Sequence, residues 1–364
     1  MKKSHFKKIV ASCTLVFSAT FVAACTPPLP PELQAQLADS SINCGSAPIT
    51  VSGSQSLTPI LDLWSFEYQG LCPEAGASLL MPEEETLADV MISDSIEAPA
   101  NCVPTLSVPM LVTAVSIVTS LQGLDGIVLD PNTLSKIING EITSWSDPEI
   151  VAINQQFEVI DLPVQLATVI SRADAASIDA WLGRLAPDTW AGFPDSFTIT
   201  ETFDETNPPS QIYEDGGIVF APFSFTVLNG LQSAYILSDP ELDAVPAATD
   251  NIKSAGTQLS YSSVESPLET VLDPEKTPLP PEGFNEVVPP WQAIGVEYAH
   301  VCEGGSVLDS QAFLRYGLRS SSQGVLADFG YSELPVEVRG AALDLVSRGL
   351  PSPSPIEPDT AATP

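Results

Sequence analysis

A chain of 364 residues that sets 13 Lys and Arg against 46 Asp and Glu carries a net charge of -33, which excludes nucleic acid and anionic membrane surfaces as electrostatic partners. Its length is enough for one large domain or two coupled lobes with true cores. The first 24 residues, MKKSHFKKIVASCTLVFSATFVAA, carry four Lys and then an apolar run from Ile9 to Ala24. That is the layout of a secretory signal, and the run is shorter than the roughly 20 residues of a spanning helix. Once residues 1–24 are removed, nine basic residues face 46 acids, a charge of about -37.

At VAAC, Val22 to Cys25, the sequence resembles the lipobox of bacterial lipoproteins. The resemblance implies a diacylglyceryl group on Cys25, and two acyl chains hold a protein on a membrane stably. TPPLPPEL, from Thr26 to Leu33, then reads as a semi-rigid spacer, with residues 25–46 forming the lipid-anchored Pro-rich segment.

Three stretches share one layout, a short apolar strand, a Ser- or Asp-bearing loop and a helix. ITVS from Ile49 leads into Gly53 to Ser56 and the periodic helix LTPILDLWSFEY, whose Pro59 suits a first turn. ADVMIS runs into Ser93, Asp94 and Ser95. QLATVI, 165–170, precedes the loop SRADAAS and the helix SIDAWLGRL. This is the α/β pattern that places ligands at strand C-terminal ends, where hydroxyls and helix N-termini favour an anion. Arg172 and Asp174, two residues apart in the third loop, have a plainer reading as an exposed pair worth under about 1 kcal/mol.

The segment 273–290, DPEKTPLPPEGFNEVVPP, and the tail GLPSPSPIEPDTAATP at 349–364 are too rich in Pro and acid for core elements, and the tail reads as disordered. Besides Cys25, four Cys remain after the signal: Cys44, Cys72, Cys102 and Cys302. In an exported chain they suggest two disulfides among three pairings. Cys44 with Cys72 and Cys102 with Cys302 is favoured, because one closes a short loop and the other ties late chain to early chain, although the spacing itself does not choose. A zinc site lacks a CxxC pair and a neighbouring His. Enzyme chemistry lacks a base: His300 lies in the apolar run WQAIGVEYAHVC and reads as structural, and there is neither GxSxG nor GxxxxGK. The Glu83–Glu85 triplet has no EF-hand spacing and reads as a solvated face. No metal and no cofactor is expected.

In this order, the pieces resemble the phosphate-binding proteins of bacterial ABC importers. ITVSGSQSLTPILDLW is similar to that family's opening strand, Gly-Ser loop and helix, and DVMISDSIEAP to its aspartate loop. VPMLVTAVSIV followed by DPNTLSKIINGEITSWSDPEIVAIN is the most specific stretch. VISRADAAS is similar to the family's Arg-x-Asp anion loop, DGGIVFAPFSF to the strand after it, and FLRYGLRSSSQGVLADFGYSELPVEV to its C-terminal helix with a Tyr-x-x-Leu-Pro ending.

The resemblance implies an α/β, two-lobed, type II periplasmic-binding-protein-like fold with mixed sheets flanked by helices and a hinge. The solute-binding domain would span 47–348, with lobe 1 at about 47–120 and 226–348 and lobe 2 at about 121–225. It implies a monomer that binds phosphate or a related oxyanion, serves an ABC permease, and sits outside the cytoplasm anchored to the cell membrane through Cys25. Ser54, Ser56 and the N–H of Leu57 would donate from the first loop, Ser93 would support Asp94, and Asp94 would accept the proton of hydrogen phosphate. Arg172 would fork onto two anion oxygens, oriented by Asp174, with Ser177 assisting. Here Arg-x-Asp is followed by Ala175, Ala176 and Ser177 where the family has a Gly-Ser-Gly-Thr-type run. The alternative is a degenerate relative acting as an envelope interaction or sensory module.

Overall fold

The computed structural model describes residues 29–80, 87–124, 126–156, 158, 161–239, 243–280 and 286–356. The expected signal, Cys25, the Glu83–Glu85 triplet and the last eight residues lie outside them.

A seven-stranded mixed sheet organises the molecule. It comprises β1 (Ile49–Ser52), β2 (Ala77–Leu79), β3 (Val90–Ser93), β4 (Pro104–Ser120), β5 (Gln165–Leu166), β6 (Gly217–Pro222) and β7 (Ile294–Cys302), in the order β2-β1-β3-β7-β4-β6-β5. β1 runs parallel to β2 and β3, whereas β4 is antiparallel to both β7 and β6. This is the α/β fold with mixed sheets expected from the sequence.

The apolar run VPMLVTAVSIV forms the middle of β4, a strand of 17 residues. At roughly 3.3 Å per residue it is about 55 Å long. Its residues 104–114 pair with β7 and 115–120 with β6, so one strand serves both halves and changes partners between Ala114 and Val115. The return chain is stitched to the same point: Val115 N donates to Ala293 O at 2.9 Å, and Trp291 Nε1 donates to Val115 O at 3.0 Å.

The pairing does not follow the lobe boundaries expected at about 120 and 226. Tyr235–Ile236 pair with Val128–Leu129 and with Val245–Pro246. Ala234 N donates to Ile117 O at 2.8 Å, because the end of β4 still offers an unpaired edge. Residues up to 246 therefore remain with the second half.

Helices cover the sheet: α1 (Pro31–Asp39), α2 (Thr58–Leu71), α3 (Arg172–Leu185), α4 (Phe223–Leu228), α5 (Val307–Gly317) and α6 (Val336–Ser347). In α2, Ile60, Leu61, Trp64 and Tyr68 form one buried stripe at helical spacing. The NGEITSW turn uses Gly140 at φ 74°, and buried Trp145 donates to Gly216 O at 2.9 Å.

The Pro-rich spacer expected over 25–46 is a helix from Pro31, which occupies the first-turn position that tolerates its missing N–H. Ala35 and Ala38 are buried, and Asp39 pairs with Arg339 of α6 at 2.9 Å. Arg315 donates to Ser41 O at 3.1 Å and Arg319 to Asp39 O at 3.2 Å. The tail is likewise ordered through 356, since Ser354–Pro355 pair with Ser41–Ile42. A Cβ on Gly340 would lie 2.1 Å from Pro31 O, so α1 sits against bare helix backbone. Gly340→Val should lower stability by about 1–3 kcal/mol through overpacking. An unchanged thermal midpoint would contradict this docking. The four cysteines form Cys44–Cys72 and Cys102–Cys302, with Cα separations of 5.3 and 5.1 Å.

Candidate functional site

A cavity of about 770 Å³ lies where β4 changes partners. Ser52 to Ser56 after β1, Met91 to Asp94 at the end of β3, the first turns of α3, the segment Thr202–Thr206, Ser224 of α4 and Glu297 of β7 all line it. Strand ends and helix N-termini thus converge there. The layout expected at ADVMIS departs from this, since β3 leads through a loop straight into β4 without a helix.

Ser56 is the polar hub. Its hydroxyl donates to Glu205 Oε1 at 2.6 Å, while Ser56 Oγ accepts from Tyr331 Oη at 3.2 Å and from Ser224 Oγ at 3.3 Å. Ser93 Oγ meets His300 Nε2 at 3.2 Å, and His300 Nδ1 meets Ser107 Oγ at 2.9 Å. The fully buried His300 therefore braces the strand that presents Asp94.

Among the described residues, five carboxyl groups line the cavity: Asp94, Asp174, Asp204, Glu205 and Glu297. None of the described lining residues is Lys or Arg. Asp174 is 8% exposed and its Oδ2 has no hydrogen-bond partner. Burial, aided by the charge of Asp94 and opposed by the Ser171 hydrogen bond, pushes its pKa to about 7. Burial and the charges of Asp94, Asp174 and Glu205 push Glu297 well above the ordinary range. Asp94 is raised by burial and by Glu201, and Glu205 by burial against its bonds to Ser56. Burial of this depth favours the neutral, donating form of Asp174 and Glu297.

β4 has one extra residue, Met110, at the register shift that brings Pro109 opposite Tyr298. A proline there cannot donate to the ladder, and such a bulge re-aims the neighbouring side chains, among them Glu297.

The loop expected at SRADAAS is the start of α3. Ser171 caps it by accepting from Asp174 N at 3.0 Å, and the Ala-rich run favours helix. Residues two apart on a helix point to different sides. Asp174 accordingly faces the cavity, whereas Arg172 turns outward onto Glu201, both side chains largely exposed. The expected Arg172–Asp174 contact is therefore not formed. The Leu57 N–H is bonded to Ser54 O at 3.1 Å rather than offered to a ligand. Ser177 lines the cavity but donates to Ile294 O at 3.2 Å. Ser54, Ser56, Ser93 and Asp94 all line it.

Sequence reasoning does not reach Glu205, Ser224, Glu297 or Tyr331 as site residues. A lone acid in the apolar strand IGVEYAHVC could have marked Glu297. TFDETNPPS gives no such signal for Glu205.

Two sheet halves sharing a long strand, with a hydroxyl-lined cavity at the crossing, are the arrangement of the type II periplasmic-binding-protein-like fold. The chain resembles phosphate-binding protein PstS2 of Mycobacterium bovis, 25% identical over 331 residues that cover 81% of this chain and 85% of the relative. It also resembles PstS 3 of Mycobacterium leprae, 24% identical over 240 residues and 63% of each chain. Among solved structures, a high affinity periplasmic phosphate-binding protein bound with phosphate matches 80% of this chain and 92% of its own, with a TM-score of 0.55 at 13% identity. A putative phosphate ABC transporter substrate-binding protein from Clostridium perfringens matches 79% and 100%, with a TM-score of 0.50 at 12% identity. No protein-family model matches the sequence. The chain is thus divergent in sequence, similar to phosphate-binding proteins, and has the type II periplasmic-binding-protein-like fold. Its relatives are binding proteins, and no group of three His, Cys, Asp or Glu among the described residues is placed to hold a metal.

Proposed function

We propose that this protein captures phosphate outside the cytoplasm for an ABC importer, held to the membrane by lipid on Cys25. The oxyanion would enter in a protonated, singly charged form, with the two lobes closing about the crossing at Ala114 and Val115. The observation that carries this reading is the convergence of the Ser54–Ser56 loop and the N-terminus of α3 on one cavity. Dipole and hydroxyls there favour an anion, and Asp174 and Glu297, when protonated, would add O–H donors instead of repulsion. Asp94, as the carboxylate, would accept a hydrogen bond from the solute's O–H.

Arg172 would leave Glu201 and turn into the cleft. Their ion pair is exposed and screened by water, so a solute oxygen readily replaces it. A second reading, a relative whose cleft serves envelope interaction or sensing, is favoured by the absence of a cation among the described lining residues. Calorimetry with phosphate separates them. Arg172→Ala should weaken binding roughly 10- to 100-fold, the loss of a charged hydrogen bond. Arg184→Ala, whose guanidinium donates to Gln292 at 2.7 Å, should change little. Equal losses would remove Arg172 from the site.

A further inference from the structure

The contact between Ser56 and Glu205 joins loops 149 residues apart in sequence. A hydroxyl has one proton and two lone pairs. At Ser56 the proton goes to Glu205, and the lone pairs face the Tyr331 and Ser224 hydroxyls. A solute can therefore take the Ser56 proton only if Glu205 gives it up.

The segment that presents Glu205 is built to hold it there. Asp204 Oδ1 accepts from Thr206 N at 3.1 Å, Thr206 Oγ1 at 2.8 Å and Asn207 N at 2.9 Å, which fixes the turn. Phe203 packs on Phe225 with ring centroids 5.1 Å apart, anchoring the turn to the second half. Holding the carboxylate in place are the Ser56 hydroxyl and backbone amide. Opposing it is its burial in a cavity that Asp94, Asp174 and Glu297 also line. A tethered carboxylate held by few donors is positioned yet displaceable.

We propose that Glu205 is an internal competitor: its carboxylate occupies the oxyanion subsite of the Ser54–Ser56 loop, and an incoming oxyanion binds by displacing it. This rests on the reading that the cleft takes an oxyanion. It makes Glu205 the residue that sets the affinity threshold, so that only a solute offering better acceptor oxygens than a tethered carboxylate is retained.

The test uses the full chain with inorganic phosphate as the probe. Glu205→Gln keeps the shape and removes the competing charge, so it should bind phosphate about 10-fold more tightly or better. Asp188→Asn removes a charge from an exposed turn and should leave affinity unchanged. Hydrogen exchange gives an arm that needs no solute: Glu205→Ala should speed exchange of the amides of Ser54–Leu57 and of residues 203–207 together. Phosphate binding by the wild type that Glu205→Gln leaves equal or weaker overturns the competitor and spares the phosphate reading. If neither protein binds phosphate, the phosphate reading falls and exchange decides on Glu205: unchanged rates at Ser54–Leu57 would overturn its hold on the loop.

Discussion

Asp174→Asn should make the protein more stable above neutral pH, by on the order of 2–4 kcal/mol, and flatten its dependence on pH. The carboxyl has a pKa of about 7 when folded and an ordinary value of 3.8. Between those values the folded state holds a proton that the unfolded state has lost. Stability from this group is therefore fully present below about pH 4 and falls as pH rises toward 7, the reverse of a salt-bridged carboxylate. A gap of one pH unit between the folded and unfolded pKa corresponds to about 1.4 kcal/mol, and the coupling to Asp94 spreads the loss over the cluster. Asparagine keeps the shape without a charge to bury. Urea unfolding of both proteins at about pH 5 and pH 8 tests this. Parallel pH profiles, or a less stable variant at pH 8, would show that Asp174 is not the strained group. Such strain suits a binding site whose geometry is kept at a cost in stability.

Replacing Cys102 and Cys302 together with Ser should destabilise the protein by about 2–5 kcal/mol. The bond joins residues 200 apart, so it removes much of the freedom of the unfolded chain. It also fastens the end of β7 beside the start of β4, the two strands that meet at the centre of the sheet. Replacing Cys44 and Cys72, 28 residues apart, should cost less in the same chain-entropy model. Thermal unfolding of the two double variants gives the comparison, and an equal or reversed order would contradict it.

Much of the fold is legible in the sequence because its signals are local. ITVS from Ile49 reads as a strand, and Pro59 followed by an apolar stripe reads as a helix start; both form as expected. α1 escapes such a reading because its Pro-rich lead-in resembles a linker, while what folds it is distant: Ala35 and Ala38 against α6, and Asp39 on Arg339. The site is half legible. Ser54 and Ser56 stand on a strand-to-helix loop, and Ser93 and Asp94 at the end of a strand, both marked by short apolar runs in the sequence. Arg172 misleads because the sequence does not show whether SRADAAS is loop or first turn, and that choice decides where the guanidinium points. Glu205 depends on a contact between loops 149 residues apart, which no local pattern encodes.

Calorimetry of the wild type with phosphate at about pH 5 and pH 8 puts capture of the anion by protonated carboxyls to the test. Asp174, with a pKa of about 7, and Glu297, held well above the ordinary range, are the carboxyls that acid converts from repelling charges into donors. It also favours the singly charged solute. Saturable binding is expected at pH 5, weakening about 10-fold or more by pH 8. Absence of heat at both values up to about 1 mM phosphate, or binding that tightens as pH rises, would contradict phosphate capture by this cleft.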